Sequence, residues 1–235
     1  MQRNIFFLSF NLFLFLFCRS EASCMKSEPS SIDPRIGWLS ISKDTIVLDT
    51  ARIQNIYIDR LDNIYVLYKE GRLTKWTKDT SFSYYNNMGT ISSIDVANPF
   101  KILLFYRSFQ RIVTLDNHLS KVSELDLNSL NRGFICCIAM GQEDEIWMYD
   151  QDARSLFLLS NSRDILRKTD PIYYFKESFA PSDIQVLNSK VYLIDPNTGY
   201  IEFDIFGQFI GFDTLVPPDP YRLAPPYPQF FRISR

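Results

Sequence analysis

Apolar residues in this chain fall in short alternating runs rather than at helical spacing. Ile56-Tyr57-Ile58 and Tyr200-Ile201-Glu202-Phe203 are two such runs, and a period of two is the signature of strands. Between the runs stand Asp-Asn, Glu-Gly, Asn-Pro and Pro-Asn-Thr-Gly, the residues that form tight hairpin turns. The pattern predicts many short strands joined by hairpins.

The runs are also periodic on a larger scale. One sequence of features recurs four times: a short apolar strand, a polar turn, a strongly apolar aromatic strand, a second turn, and a third strand ending in a polar or Gly-containing hairpin. The copies begin at Ile56, Ile94, Ile138 and Ile184, which are 38, 44 and 46 residues apart. Ile64, Ile102 and Ile146 each open the second strand eight residues after their copy begins, and Val191 opens it seven after. A unit of roughly 40 residues with four antiparallel strands is the blade of a β-propeller. One such sheet cannot bury both of its faces, so neighbours must stack around an axis. Residues 38–41, 45–48 and 230–233 offer further strands at the two ends, and pairing them in one blade would close the ring over exposed edges. The expected fold class is all-β: a propeller of four-stranded antiparallel blades, five in number or an incomplete six, over residues 35–215. The segment VPPDPYRLAPPYPQ (216–229) carries six prolines. It cannot supply a central strand and reads as a surface connector within a Pro-rich C-terminal segment, residues 216–235.

The stretches DNIYVLYKEGRLTKWTKD, DEIWMYDQDARSLFLLSN and SKVYLIDPNTGYIEFDIFGQFIGF resemble blades of NHL-type propellers. Blades of that family run as an apolar strand, a polar turn, a second apolar strand and then Phe-Asp-x-x-Gly. Phe203-Asp204-Ile205-Phe206-Gly207 carries this most clearly. The stretch SSIDVANPFKILLFYRSFQRIVTLDN is also similar to a group of exported propeller proteins of Gram-negative envelopes. The resemblance covers roughly residues 54–212 and departs at the Pro-rich end. It implies a fold and a compartment and brings no catalytic residues with it.

The N-terminus points the same way. Arg3 precedes IFFLSFNLFLFLF (5–17), and the short polar segment CRSEASC follows. A charged start, a short apolar middle and a small-residue exit make a secretory leader, and a spanning helix needs roughly 20 apolar residues. Cleavage after Ala22 would leave residues 23–34 as a linker. Lipidation is the competing outcome, with Cys24 as the candidate acylated residue. The expectation is an exported protein of the periplasm or outer membrane, touching a membrane only through such a lipid. A formal net charge of -2, with Lys and Arg spread along the chain, argues against nucleic acid as a partner.

Chemistry is sparse. His118, the only histidine, sits in the turn LDNHLS and reads as a solvated hairpin residue. No nucleophile elbow, phosphate loop or zinc-protease motif occurs. Asp150-Gln151-Asp152 and Asp195-Pro196-Asn197-Thr198-Gly199 resemble the start of a calcium loop, but the later carboxylate that calcium requires is missing, and turn geometry explains both. Asp95, Asp59 and Asp183 lie near strand starts at offsets that do not match, so they do not form a ring of acids at the axis. Cys136 and Cys137 are neighbours, so a strand would send them to opposite faces, and no CxxC spacing signals redox chemistry. The reading is therefore no catalytic residues, no metal and no cofactor. Aromatic residues in connections, Tyr84, Tyr85, Tyr173, Tyr174, Phe175, Tyr221 and Tyr227, are the candidate recognition surface. The expected role is docking of an envelope protein. Binding of a glycan or small ligand at the axial face is the alternative, and a metal-dependent hydrolase or lyase is a more distant one.

Overall fold

In the computed structural model the described residues are 36–41, 44–175, 178–214, 222–223 and 230–233, with side chains described over 51–175 and 178–214. The chain divides into two compact units, Met1–Asp33 and Pro34–Arg235, and every described residue lies in the second. The N-terminal segment read as a leader, Cys24, Tyr221 and Tyr227 lie outside the described residues.

Strands β1 (Ile36–Ile41) and β2 (Asp44–Asp49) come first. Four meandering sheets follow. The first holds β3 (Ile53–Ile58), β4 (Ile64–Tyr68), β5 (Leu73–Trp76) and β6 (Ser81–Tyr84). The second holds β7 (Ser93–Asp95), β8 (Ile102–Tyr106), β9 (Arg111–Leu115) and β10 (Lys121–Asp126). The third holds β11 (Ile135–Met140), β12 (Ile146–Asp150), β13 (Ser155–Leu159) and β14 (Ile165–Lys168). The fourth holds β15 (Asp183–Leu187), β16 (Lys190–Asp195), β17 (Gly199–Asp204) and β18 (Phe209–Asp213). Each strand pairs antiparallel with the next, so each sheet is one propeller blade.

The architecture is an all-β propeller of four blades with four antiparallel strands each. This corrects the expected five blades or incomplete six. The terminal segments do pair with one another, as β1 with β2 and with β20 (Phe230–Ile233). They make a three-stranded sheet in which β1 and β20 run parallel, because β20 arrives over a long connection instead of a tight hairpin. Such a sheet is not a blade. The Pro-rich segment contributes β19 (Arg222–Leu223), a two-residue strand on the free edge of β3. An edge position is where a Pro-flanked strand is tolerated.

Stacking of blades is legible in the core. One apolar cluster joins the first and second blades through Tyr65, Leu67, Ile102 and Leu104. A second joins the second and third through Leu103, Phe105, Ile138 and Met148. A third joins the third and fourth through Trp147, Leu158, Leu193 and Phe203. Strands β4, β8 and β13 are buried along their whole length, and β8 and β13 each place one face in one cluster and the other face in the next. The fourth strands β14 and β18 are largely exposed, and in β18 this leaves Phe209, Ile210 and Phe212 on the surface.

The turn between the third and fourth strands is closed by its first side chain in all four blades, over five residues in the second, third and fourth and over four in the first. Asp116 accepts hydrogen bonds from the His118 and Ser120 amides, and Asp204 from the Phe206 and Gln208 amides. Ser160 accepts from the Asp164 amide and Thr77 from the Thr80 amide. Short polar side chains favour this role because they reach amides two to four residues on. Gly207 takes φ 84° in its turn, whereas Leu119 and Arg163 hold the equivalent left-handed position at φ 60° and 71°.

Candidate functional site

The innermost strands have one edge with no neighbour in their own blade, and the buried amides on that edge need acceptors. In β11 they come from the second blade. The Gln110 side chain accepts from the Ile135 amide and donates to the Ile135 carbonyl, both at 2.8 Å. At the other end of the strand Asp95 accepts from the Met140 amide at 2.7 Å. Asp95 also accepts from the Ala97 amide, so its carboxylate is engaged structurally. Asp59 closes a turn with Leu61 and Asn63 and accepts from the Tyr65 hydroxyl. Tyr57, Ile94, Ile138, Asp183, Ile184 and Gln185 help line an axial cavity of about 50 Å³. That is room for water and too little for a sugar ring.

The calcium-like acids have structural partners too. Asp150 accepts from the Gly133, Asp152 and Ala153 amides, and Asp152 accepts from the Phe134 amide. A Cβ on Gly133 would lie 2.4 Å from the Asp150 carboxylate, so only glycine permits this approach. Asp195 accepts from the Ala180 and Asn197 amides and the Thr198 hydroxyl. Burial pushes the Asp195 carboxyl up, but these donors outweigh it and hold the group below the usual carboxylate range. Each acid ties a second-strand hairpin to the segment that enters its blade. No group of three metal-ligating side chains occurs among the described residues.

A larger pocket of about 480 Å³ opens where the third and fourth blades meet, with Arg107, Phe134, Cys136, Tyr149, Arg154 and Pro181 among its walls. Two guanidiniums and no carboxylate line it among the described residues. Arg107 donates from Nη2 to the Ser182 carbonyl at 3.3 Å, while its Nε is buried without a hydrogen-bond partner. Burial pushes the Tyr149 hydroxyl up to about 12, so it stays protonated across the physiological range.

Both cysteines belong to this junction, and here the sequence expectation fails. They do not point to opposite faces: Cys136 Sγ and Cys137 Sγ lie 3.4 Å apart in the same cluster. The cause is a β-bulge. Ile135 pairs with Asp150 and Cys137 with Tyr149, which leaves Cys136 as the extra residue, and a bulge breaks the alternation of side chains. Cys136 also donates to the Pro181 carbonyl at 3.3 Å. The neighbouring Cys137 thiol and Arg107 hold the Cys136 thiol below its ordinary range against the effect of burial, and burial pushes the Cys137 thiol well above it.

The candidate aromatic residues separate into two groups. Tyr84 is half-buried against the core between the first and second blades and accepts from the Asn86 amide side chain, while Tyr85 is exposed. Ile172–Tyr174 form a single 3-10 turn between the third and fourth blades. There Tyr173 and Tyr174 are exposed, with ring centroids 4.4 Å apart. The Arg154 guanidinium, a wall of the pocket, stands 5.8 Å from the Tyr173 centroid. Phe175 turns inward and stacks on Phe209 at 4.3 Å, so it is a packing residue. The solvated reading of His118 agrees with its exposure, and its ring meets Phe82 edge-on at 4.9 Å. Sequence reasoning missed Arg107, Phe134, Tyr149 and Arg154, which come together only through blade stacking.

No protein-family model matches this chain, and no curated protein matches it. Solved structures share its fold. A streptogramin B lyase aligns with a TM-score of 0.51 at 14% identity, covering 82% of this chain and 72% of that one. A catalytically inactive virginiamycin B lyase from Staphylococcus aureus, in complex with quinupristin, aligns with a TM-score of 0.51 at 13% identity, covering 79% and 72%. YCF48 bound to D1 peptide aligns with a TM-score of 0.48 at 11% identity, covering 64% of this chain and about half of its own length, 49%. At such identities the likeness is one of fold. The fold is the β-propeller.

Proposed function

We propose that this chain is an exported, non-catalytic β-propeller that docks an envelope protein partner through the pocket between its third and fourth blades. The supporting observation is the combination at one site of a pocket of about 480 Å³, two arginines and an exposed tyrosine pair beside Arg154. Arginine and tyrosine are the side chains that anchor protein interfaces. An acidic or aromatic side chain of the partner complements this lining. The leader-like segment 5–17 supports the compartment.

The test is capture of membrane and periplasmic proteins by the wild type and by Tyr173→Ala/Tyr174→Ala and Arg154→Ala variants, with site-specific crosslinking from position 151, an exposed position in the pocket wall. Loss of one crosslinked partner in both variants supports docking at this site. Retention of the same partner by both removes it. The small-ligand alternative moves off the axis to the same pocket, where the volume fits one sugar ring. Thermal stabilisation by oligosaccharides that Arg154→Ala abolishes would favour it. Intact mass of the protein recovered from membrane and soluble fractions reports export and lipidation at Cys24.

A further inference from the structure

Cys136 has an internal counterpart. Counted from the first Ile of each repeat, Gln54 precedes Ile56 as Cys136 precedes Ile138. Both are the extra residue of a bulge between the first two strands of their blade. Both donate to a carbonyl at the entrance of the next blade, Gln54 to Ile91 at 3.1 Å and Cys136 to Pro181 at 3.3 Å. Ile91 and Pro181 stand three residues before the first Ile of their own repeats. The position after the bulge is Asn55 in one blade and Cys137 in the other, and the second and fourth blades carry Ser92-Ser93 and Ser182-Asp183 at these places. Three blades therefore use hydroxyl, amide or carboxyl groups here, while the third uses two thiols. A thiol is a weak hydrogen-bond donor, so linking blades does not account for the pair.

The bulge and the pocket do account for it. They hold two sulfurs 3.4 Å apart, one lining a pocket with Arg107 and Arg154 and the other behind it in the core. We propose that Cys136 and Cys137 form a thiol–disulfide exchange site for a small, negatively charged disulfide bound in this pocket. Cys136 attacks as the thiolate, its proton passing to solvent. Its sulfur bonds to one sulfur of the incoming disulfide, whose sulfur–sulfur bond breaks and releases one thiolate. Cys137 then gives up its proton and attacks the Cys136 sulfur, which expels the second thiolate. Both released thiolates take up protons. The net change converts two protein thiols and one small disulfide into one protein disulfide and two small thiols, with two electrons passing to the small molecule. Cys137 is walled off from the pocket and reacts only after Cys136. The low thiol range of Cys136 favours the first step, since the thiolate is the nucleophile. The reaction is stoichiometric, one turnover per chain, and stands whichever partner the pocket docks.

The test treats the full chain with glutathione disulfide, an anionic probe, and with cystamine, a cationic one. Intact mass and peptide mapping follow, which separate any Cys24 product. The wild type is expected to lose two hydrogens within the peptide that holds residues 133–140, at least tenfold faster with glutathione disulfide than with cystamine. Cys137→Ser is expected to stop at a mixed disulfide on Cys136. Cys136→Gln, which restores the link used by the first blade and so keeps the fold, is expected to be inert at this site. Reaction of Cys137 in Cys136→Gln, or a wild type that reacts only after unfolding, would overturn the proposal. Equal rates with the two probes would overturn its anionic part.

Discussion

The first and third blades solve one backbone problem with different side chains. Each has a bulge at its entrance, and each uses the bulged residue to reach the next blade. In the first blade Gln54 makes an amide–carbonyl bond to Ile91. In the third, Cys136 makes a longer, weaker sulfur contact to Pro181 and faces a pocket. The difference teaches that this bulge accepts residues of different chemistry in the two blades that carry it. What the third blade gives up in hydrogen bonding it gains in a polarisable, ionisable group beside two arginines.

The largest effect expected from breaking this arrangement is at Gln110, which fixes β11 just before its bulge. Gln110→Ala removes the bonds to Arg107 and to both backbone groups of Ile135. Buried groups left unsatisfied cost about 1–3 kcal/mol each, so a loss of about 3 kcal/mol or more is expected in urea unfolding. A loss under about 1 kcal/mol would mean that water replaces the side chain. Next come the two bulges themselves. Gln54→Ala should cost about 1 kcal/mol, the net value of one ordinary hydrogen bond, and Cys136→Ala less than that. Equal costs would show that the sulfur contact carries as much structure as the amide.

Asp195, in the hairpin between the second and third strands of the fourth blade, gives a pH effect. Its carboxyl is held low in the folded protein, so its contribution is present above the unfolded value of about 3.9 and lost as pH falls through the folded one. Asp195→Ala should therefore flatten the fall of stability below about pH 4, measured by denaturation at stepped pH. An unchanged slope would remove Asp195 as a contributor. The smallest change is expected for Cys136→Gln, within about 1 kcal/mol of wild type, because it trades a weak contact for the amide bond of the first blade.

The blades were legible because alternating apolar runs and turn residues repeat at matched offsets, as at Ile64, Ile102 and Ile146. Blade number was not, since the terminal strands carry the same alternation whether they form a blade or the mixed sheet of β1, β2 and β20. Alternation likewise misplaced Cys137, because a bulge leaves no mark in composition and shows only in the shift from Ile135–Asp150 to Cys137–Tyr149. Offsets and turn geometry set Asp95 and Asp150 aside as catalytic or metal groups, but the amides that engage them, those of Met140 and Gly133, were not legible because the fold supplies them.

Parallel alkylation of the two cysteines in the folded protein, followed by mass spectrometry across a pH series, is the most direct measurement. Cys136 should be modified in the native state with a midpoint below that of a free thiol, about 8.5, and Cys137 only when the chain unfolds. Modification of both cysteines together, at the rate of unfolding, would contradict a bulge that presents one sulfur to the pocket and keeps the other behind it.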